Sequence, residues 1–300
     1  MILIDLSQVI ISNLMTQVGP KTDEIDEGLI RHMILNSILK VKKKHAAEYG
    51  NIVICCDNKN YWRKDVYPYY KFSRKKERES SGIDWSLIFN TMNEMKSDLR
   101  ETFPYKIIET ERAEADDIIA TLTQTYAPFE KILIMSSDKD FKQLQKYPNV
   151  SQYSPIQKKF LVEKNPQKYL REHIIRGDKS DGVPNFLSDD EVFVENRRQK
   201  PITKKNITEW LDLSRNPEDF CDANMLKRWQ RNESLVDLTK VPDEIRSNIL
   251  EQFENDPKGD MKKVFDYFIK NRMMLLMEEI DAFKEQKYKS YHDLDVMRTA

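Results

Sequence analysis

Three cysteines and four histidines are all that 300 residues provide for thiol or soft-metal chemistry. Cys55 and Cys56 are adjacent in an apolar run and Cys221 stands alone, so there is no disulfide framework, and the odd count fits a reducing cytoplasm. His32, His45, His173 and His292 are scattered, with no HExxH and no Cys–His cluster, which argues against zinc chemistry. No apolar run approaches the ~20 residues that span a bilayer. The opening "MILIDLS" reads as a strand and not as a basic segment leading into an apolar one, so no signal peptide is expected. A GxxxxGK[ST] loop is missing, which excludes a P-loop kinase. Net charge is −1, from 49 basic and 50 acidic residues, so overall charge selects no partner.

What is present is order. Buried-strand runs "ILID" (2–5), "NIVICCD" (51–57), "YKIIE" (105–109) and "KILIMSSD" (131–138) alternate with helical patterns over 26–49, 83–99 and 114–126. This predicts an α/β fold with a mostly parallel central sheet flanked by helices. Beyond about residue 162 strand signals fade, and 167–176, 204–213 and 261–283 read as helices between charged loops. We divide the chain into an α/β core (1–165, with a basic, aromatic arch region at 59–90) and a helical part (166–300). Residues 186–205 read as a loop or insertion.

Three of the four strands end on an aspartate: Asp5, Asp57 and Asp138. The helix at 114–126 opens with Glu114, Asp116 and Asp117, and "SSDKDF" and "GDKSDGVP" add Asp140, Asp178 and Asp181. In an open α/β sheet, ligands sit beyond the carboxyl ends of the strands, so these acids should converge there. A single such aspartate commonly caps a helix or turn. A cluster of them raises its members' pKa values and destabilises the fold unless cations are bound. Oxygen donors select Mg²⁺ or Mn²⁺, and this many carboxylates suggests two ions. A phosphodiester is the substrate such a site suits, with one ion supplying the attacking water and the other stabilising the leaving oxygen.

The series "LIDLSQ … CDN … EADD … SSDKDF … GDKSDGVP" resembles the flap endonuclease/5′-nuclease superfamily. Within it, "YWRKDVYPYYK", "RHMILNSI" and "LQKYPNV" are most similar to the ribonucleases H of T-even-type bacteriophages. The resemblance is good over roughly the first 185 residues. It implies a 5′ to 3′ exonuclease and flap endonuclease acting on RNA–DNA and DNA–DNA duplexes with 5′ flaps or forks, in primer removal. It implies two Mg²⁺ ions, with Mn²⁺ as substitute. Asp5, Asp57, Glu114, Asp116 and Asp138 match the acids around a first ion. Asp140, Asp178 and Asp181 match those around a second, with Asp116 between, while Asp117 matches an acid present in only part of the family. Asp116 and Asp138 are also the expected catalytic acids.

From Lys59 to Arg78 there are eight Lys or Arg residues interleaved with aromatics. Such runs are often plain solvated faces, but they also suit phosphates and unpaired bases. The resemblance places a helical arch here, broken at Pro68. Lys71 and Arg74 would contact the scissile phosphate, Tyr70 would stack on a base, and Lys75, Lys76 and Arg78 would be general phosphate contacts. The segment 167–185 matches a helix–loop–helix element that grips duplex backbone. The chain departs from the wider family after Pro184, where Lys204 and Lys205 open the next helix and are candidate backbone contacts. The tail "YHDLDVMRTA" is a candidate docking segment for a replication partner such as a sliding clamp, against an ordinary terminus, and a single-strand DNA-binding protein is a further expected partner. The other expectations are a monomer in the cytoplasm (the host's, if phage-encoded). The competing reading from another class is a DNA-binding replication accessory protein without catalysis.

Overall fold

The structure is a computed structural model describing residues 1–11, 26–255 and 259–284. Its first half contains β1 (Ile2–Asp5), α1 (Glu27–Tyr49), β2 (Ile52–Cys55), α2 (Arg63–Val66), α3 (Ser73–Ser80), α4 (Trp85–Thr102), β3 (Lys106–Ile108), α5 (Ala115–Tyr126) and β4 (Ile132–Met135). Then come β5 (Val150–Ser154), β6 (Lys159–Leu161), α6 (Pro166–Arg176), α7 (Lys204–Trp210) and α8 (Ala223–Val236). The last elements are α9 (Asp243–Asn255), α10 (Met261–Lys270) and α11 (Met274–Met277). Local signals explain the helix ends. Asp26 caps α1 by accepting the Leu29 amide, and Gly50 ends it at φ 86°. Asn165 and Pro166 start α6 in the same manner.

The strands form one six-stranded sheet in the order β3-β2-β1-β4-β5-β6. All neighbours are parallel except the β5–β6 edge pair. β1, β2 and β4 are buried along their whole length, as parallel strands covered on both faces must be. One face carries α1, α4, α10 and α11 through Ile34, Ile38, Met95, Leu99, Phe268 and Leu276. The other carries α5 and α9 through Ile118, Leu122, Ile245 and Ile249. The chain order reverses between β1 and β4, which opens a crevice at their carboxyl ends. A third apolar cluster lies beyond that edge and joins Tyr67 and Tyr70 to Ile175, Phe186, Trp210 and Trp229.

The structure departs from the sequence reading in three places. The β5–β6 pair was not foreseen, because β6 is a short, exposed edge strand without apolar alternation. The fourth strand stops at Met135, and Asp138 instead caps a 3₁₀ segment at Lys139–Lys146. The expected helix over 261–283 is broken at Arg272, whose φ is 55°. In the apolar run there, Met273 and Leu276 are buried, whereas Met274 and Leu275 are exposed. Residues 186–205 form turns, as expected of a loop, but they are tied down. Asn185 donates to the Lys200 carbonyl, and Arg228 and Arg231 pair with Asp189 and Asp190. The tail "YHDLDVMRTA" lies outside the described residues.

Candidate active site

Asp5 ends β1 on the crevice. Its Oδ1 accepts the Gln8 amide at 3.0 Å, and its Oδ2 lies 3.5 Å from the Ser136 hydroxyl. Asp57 follows β2 and accepts the Ala115 amide at 2.9 Å, which fixes it to the first turn of α5. Asp116 is in that turn, half-buried beside Asp138 and Asp5. Asp138 is held by its own amide on Ser136 Oγ, by the Asp140 amide on its Oδ1, and by Gln152 on its carbonyl. These four carboxylates therefore converge from β1, β2, α5 and the turn after β4.

The second group comes from the 3₁₀ turn and from the loop after α6. Asp178, which is 4% exposed, accepts from the Ser180 amide and hydroxyl on Oδ1. Its Oδ2 meets His173 Nε2 at 3.2 Å and Lys139 Nζ at 3.0 Å. Asp140, His173 and Asp178 bring one ligand atom each within 4.8 Å of one another. Among the described residues, Asp140 Oδ1 and His173 Nδ1 are buried with no hydrogen-bond partner. Orphaned polar atoms of this kind fit a cation. Sequence reading passed over His173 as one of four scattered histidines. The available signal was its place in the last turn of α6, just before the Gly177–Asp178 pair. That loop is shaped by Gly177, at φ 64°, where a Cβ would come 2.4 Å from the carbonyls of Val183 and Pro184. Arg231 and Asn232 of α8 donate to the same Pro184 carbonyl.

Arg63 organises the acids that stand behind. It is 2% exposed and pairs with Glu114 Oε2 at 2.8 Å and Asp117 Oδ1 at 2.8 Å, while its Nε donates to the Leu235 carbonyl. Asp117 also takes the Trp62 indole N–H and closes the capping box of α5 on the Glu114 amide. Asp117 is thus consumed by structure and turned from the crevice, which corrects its expected place among the metal acids. Glu114 is shared between Arg63, Tyr70 and Lys71. Tyr70 is 4% exposed, and its hydroxyl bridges Glu114 and Asp181 at 3.1 and 2.9 Å. Its ring is packed in the third cluster, so it braces the acids and offers no face to a base.

Pro68 separates α2 from α3, as the sequence suggested. Lys71 lies in the turn between them at φ 57°, a conformation costly for a side-chain-bearing residue. Its amide donates to the Asp181 carbonyl at 2.8 Å and its Nζ pairs with Glu114, so both ends of the residue are fixed over the acids. Arg74 pairs with Asp181. Lys75 and Lys76 are exposed, Arg78 lies over the Phe89 ring, and Lys204 and Lys205 are exposed at the start of α7. A cavity of about 700 Å³ opens beside Asp57 between α3 and α4, lined by Tyr61, Arg74, Arg78, Trp85, Phe89 and Lys96 among others.

The electrostatics divide the site. Burial, then Asp57 and Asp138, push Asp5 up to about 8. Burial, Asp138 and Asp5 push Asp116 well above the usual carboxylate range. Burial raises Asp140 to about 7 even with His173 beside it. Glu114 goes the other way: burial would raise it, but Lys71 and Arg63 hold it at about 2. Asp178 is likewise held low against burial by His173, Ser180 and Lys139. Between the ordinary carboxylate pKa near ~4 and these raised values, the folded state binds more protons than the unfolded state, so its stability falls as pH rises. The contributions of Glu114 and Asp178 are complete above that ordinary value and do not reverse the slope. Without divalent cations, the melting temperature should therefore drop between pH 5.5 and 8.0. Mg²⁺ should raise it more at pH 8.0 than at 5.5, since cations displace those protons. Calorimetry in EDTA and in Mg²⁺ tests this, and a flat profile would refute the assignment of these acids as a cation site.

Two family models match the chain. The 5′-3′ exonuclease N-terminal resolvase-like domain matches residues 2–174, and the C-terminal domain of phage T4 RNase H matches 166–283. The chain is 35% identical over 291 residues to the ribonuclease H of Enterobacteria phage T4, covering 94% of this chain and 95% of that protein. It is 31% identical over 173 residues to the flap endonuclease Xni of Shewanella piezotolerans, covering 54% of this chain and 63% of that one. The phage T5 flap endonuclease, solved with DNA and metal ions, shares the fold at a TM-score of 0.55 and 16% identity, over 85% of this chain and 99% of that one. Among the described residues no helix is long and apolar enough to cross a membrane. On its sequence, its fold and its convergent carboxylates, the chain belongs to the 5′-3′ exonuclease and flap endonuclease family, and is a 5′ nuclease with a C-terminal part of the RNase H type.

Proposed function

We propose that this nuclease hydrolyses phosphodiesters at 5′ flaps and 5′ ends of DNA–DNA and RNA–DNA duplexes with two divalent cations, Mg²⁺ by preference and Mn²⁺ as a substitute. The observation that carries this is the convergence of Asp5, Asp57, Asp116 and Asp138 at the β1–β4 crevice, with Lys71 fixed above them. Asp5, Asp57, Asp116 and Asp138, with Glu114 behind, would hold one cation, and Asp140, Asp178 and Asp181 the other. When bound, the cations supply an activated water and charge for the leaving oxygen. The chain's own groups do the rest. Glu114 and Asp181 keep Lys71 and Arg74 over the crevice, where both can meet the scissile phosphate and the charge that develops on it. The cavity beside Asp57, with its aromatic and basic lining, receives the unpaired 5′ strand. Lys75, Lys76 and Arg78 extend that basic track, and the loop after α6, with Lys204 and Lys205, faces the duplex. A sliding clamp and a single-strand DNA-binding protein are the partners this role calls for, and the enzyme acts as a monomer in the cytoplasm.

The test uses 5′-end-labelled flap DNA and RNA–DNA hybrids with and without Mg²⁺. Products released only with Mg²⁺ support the reading. Salt-sensitive DNA affinity without any product would establish the non-catalytic accessory protein instead. Lys71→Ala should reduce kcat by roughly 10²–10³-fold, the usual loss of a transition-state charge contact. Substrate affinity should change little, and an equal loss in affinity would make Lys71 a positioning contact only.

A further inference from the structure

His173 is 7% exposed, and its Nε2 meets Asp178 Oδ2 at 3.2 Å. Asp178 is fully engaged there: Oδ1 takes both Ser180 donors, and Oδ2 takes Lys139 as well as the ring. With Asp178 taking the Nε2 proton, the neutral ring presents a lone pair on Nδ1. Against burial, Asp178 and Asp140 also raise the ring's affinity for a second proton, and a metal ion at Nδ1 takes that proton's place. That nitrogen lies 3.5 Å from Asp140 Oδ1. Neither atom has a hydrogen-bond partner, and both are buried. Two buried, otherwise unpartnered atoms at this distance need a positive centre between them, which is either a proton on the ring or a metal ion. Their 3.5 Å spacing suits two ligands of a single ion, for which each metal–ligand bond is about 2.1 Å.

We infer that His173 Nδ1 and Asp140 form a nitrogen–oxygen ligand pair for a divalent cation, and that Asp178 stands behind the ring as the carboxylate that orients it. The inference rests on the two-cation reading above and changes its chemistry. Carboxylate donors suit Mg²⁺, whereas an imidazole donor shifts preference toward Mn²⁺ or Zn²⁺. The two cation positions are therefore unlike. The group at Asp5, Asp57, Asp116 and Asp138 favours Mg²⁺, and the His173 position admits a softer ion.

The full chain, labelled with ¹⁵N-histidine, is titrated with Mg²⁺ and then with Zn²⁺, with ion binding followed in parallel by calorimetry. Zn²⁺ should move Nδ1 of His173 into the metal-bound range while Nε2 keeps its proton. The signal is assigned by its disappearance in His173→Gln, and Asp140→Asn should abolish the shift at the same Zn²⁺ concentration. His173→Gln should weaken Zn²⁺ binding by at least ~10-fold and Mg²⁺ binding by less than ~3-fold. If ions bind but both ring nitrogens stay where they were, this inference is overturned and the two-cation reading survives. If neither ion gives heat nor moves any nitrogen, the two-cation reading fails, and this inference with it. The wild-type spectrum shows by itself whether any ring nitrogen takes the ion, and His173→Gln serves to assign that ring to His173.

Discussion

Asp116→Asn is expected to lower kcat on a 5′-flap substrate by at least ~10³-fold, a loss of about 4 kcal/mol in transition-state stabilisation. It should also make the cation-free protein more stable. Both effects have one cause. Asp116 is pushed well above the usual carboxylate range by burial and by Asp138 and Asp5, so its charge is unfavourable in the fold unless a cation shares it. Asparagine keeps the shape and removes the charge. The melting temperature in EDTA at pH 8 should rise, and the gain from Mg²⁺ should shrink. A merely structural aspartate behaves in the opposite way, since replacing it costs stability and leaves chemistry alone. A destabilised variant with full cleavage activity would remove Asp116 from the site. Asp138→Asn should give the same loss of activity, but less gain in stability, because the Asp138 side chain also caps the 3₁₀ segment through the Asp140 amide.

Arg63→Met is expected to destabilise the protein by about 3–5 kcal/mol, the range for a buried charge pair that loses one partner. Arg63 is the countercharge for Glu114 and Asp117, which are 1% and 0% exposed, and it ties α2 to the Leu235 carbonyl of α8. Removing it strands Asp117 in the interior, leaves Glu114 with Lys71 as its countercharge, and loosens the turn that carries Lys71. Arg63→Met combined with Asp117→Asn should recover a large part of the loss, because the stranded charge goes with it. Chemical denaturation of the single and double variants measures this directly. If the double variant is no better than the single, the pair is not the unit described here. Activity should fall as well, through displacement of Lys71 and not through any contact of Arg63 with substrate.

Much of this was legible in the chain. The alternation of apolar runs and helical patterns predicted the α/β sheet, and strand ends marked by aspartate located its functional edge. The break at Pro68 and the helix start at Lys204 also hold. The departures at the site share one feature, in that they concern what a polar side chain does once it is packed. Asp117 and Asp116 are adjacent letters in "EADD", yet one closes a capping box against Arg63 and the other faces Asp138. Tyr70 stands in a basic, aromatic run of the kind that stacks on bases, but it is buried with its hydroxyl on Glu114 and Asp181. His173 was set aside because the four histidines are scattered, with no HExxH and no Cys–His cluster. Asp140 reaches it from 33 residues away, across the contact between α6 and the 3₁₀ turn.

By itself, then, the sequence determined periodicity and strand termini, because hydrophobic spacing and backbone propensity act over a few residues. It also determined the presence of an acidic site, because so many carboxylates at strand ends have few other physical outcomes. Only the tertiary structure decided which acids have their charge met by protein cations and which do not. Arg63 and Lys71 hold Glu114 low and Arg63 pairs with Asp117, which burial nevertheless raises, while Asp5, Asp116 and Asp140 are raised by burial and by neighbouring acids. The reason is that charge pairing and burial depend on distances of a few ångströms between segments far apart in the chain, and no local pattern encodes those distances.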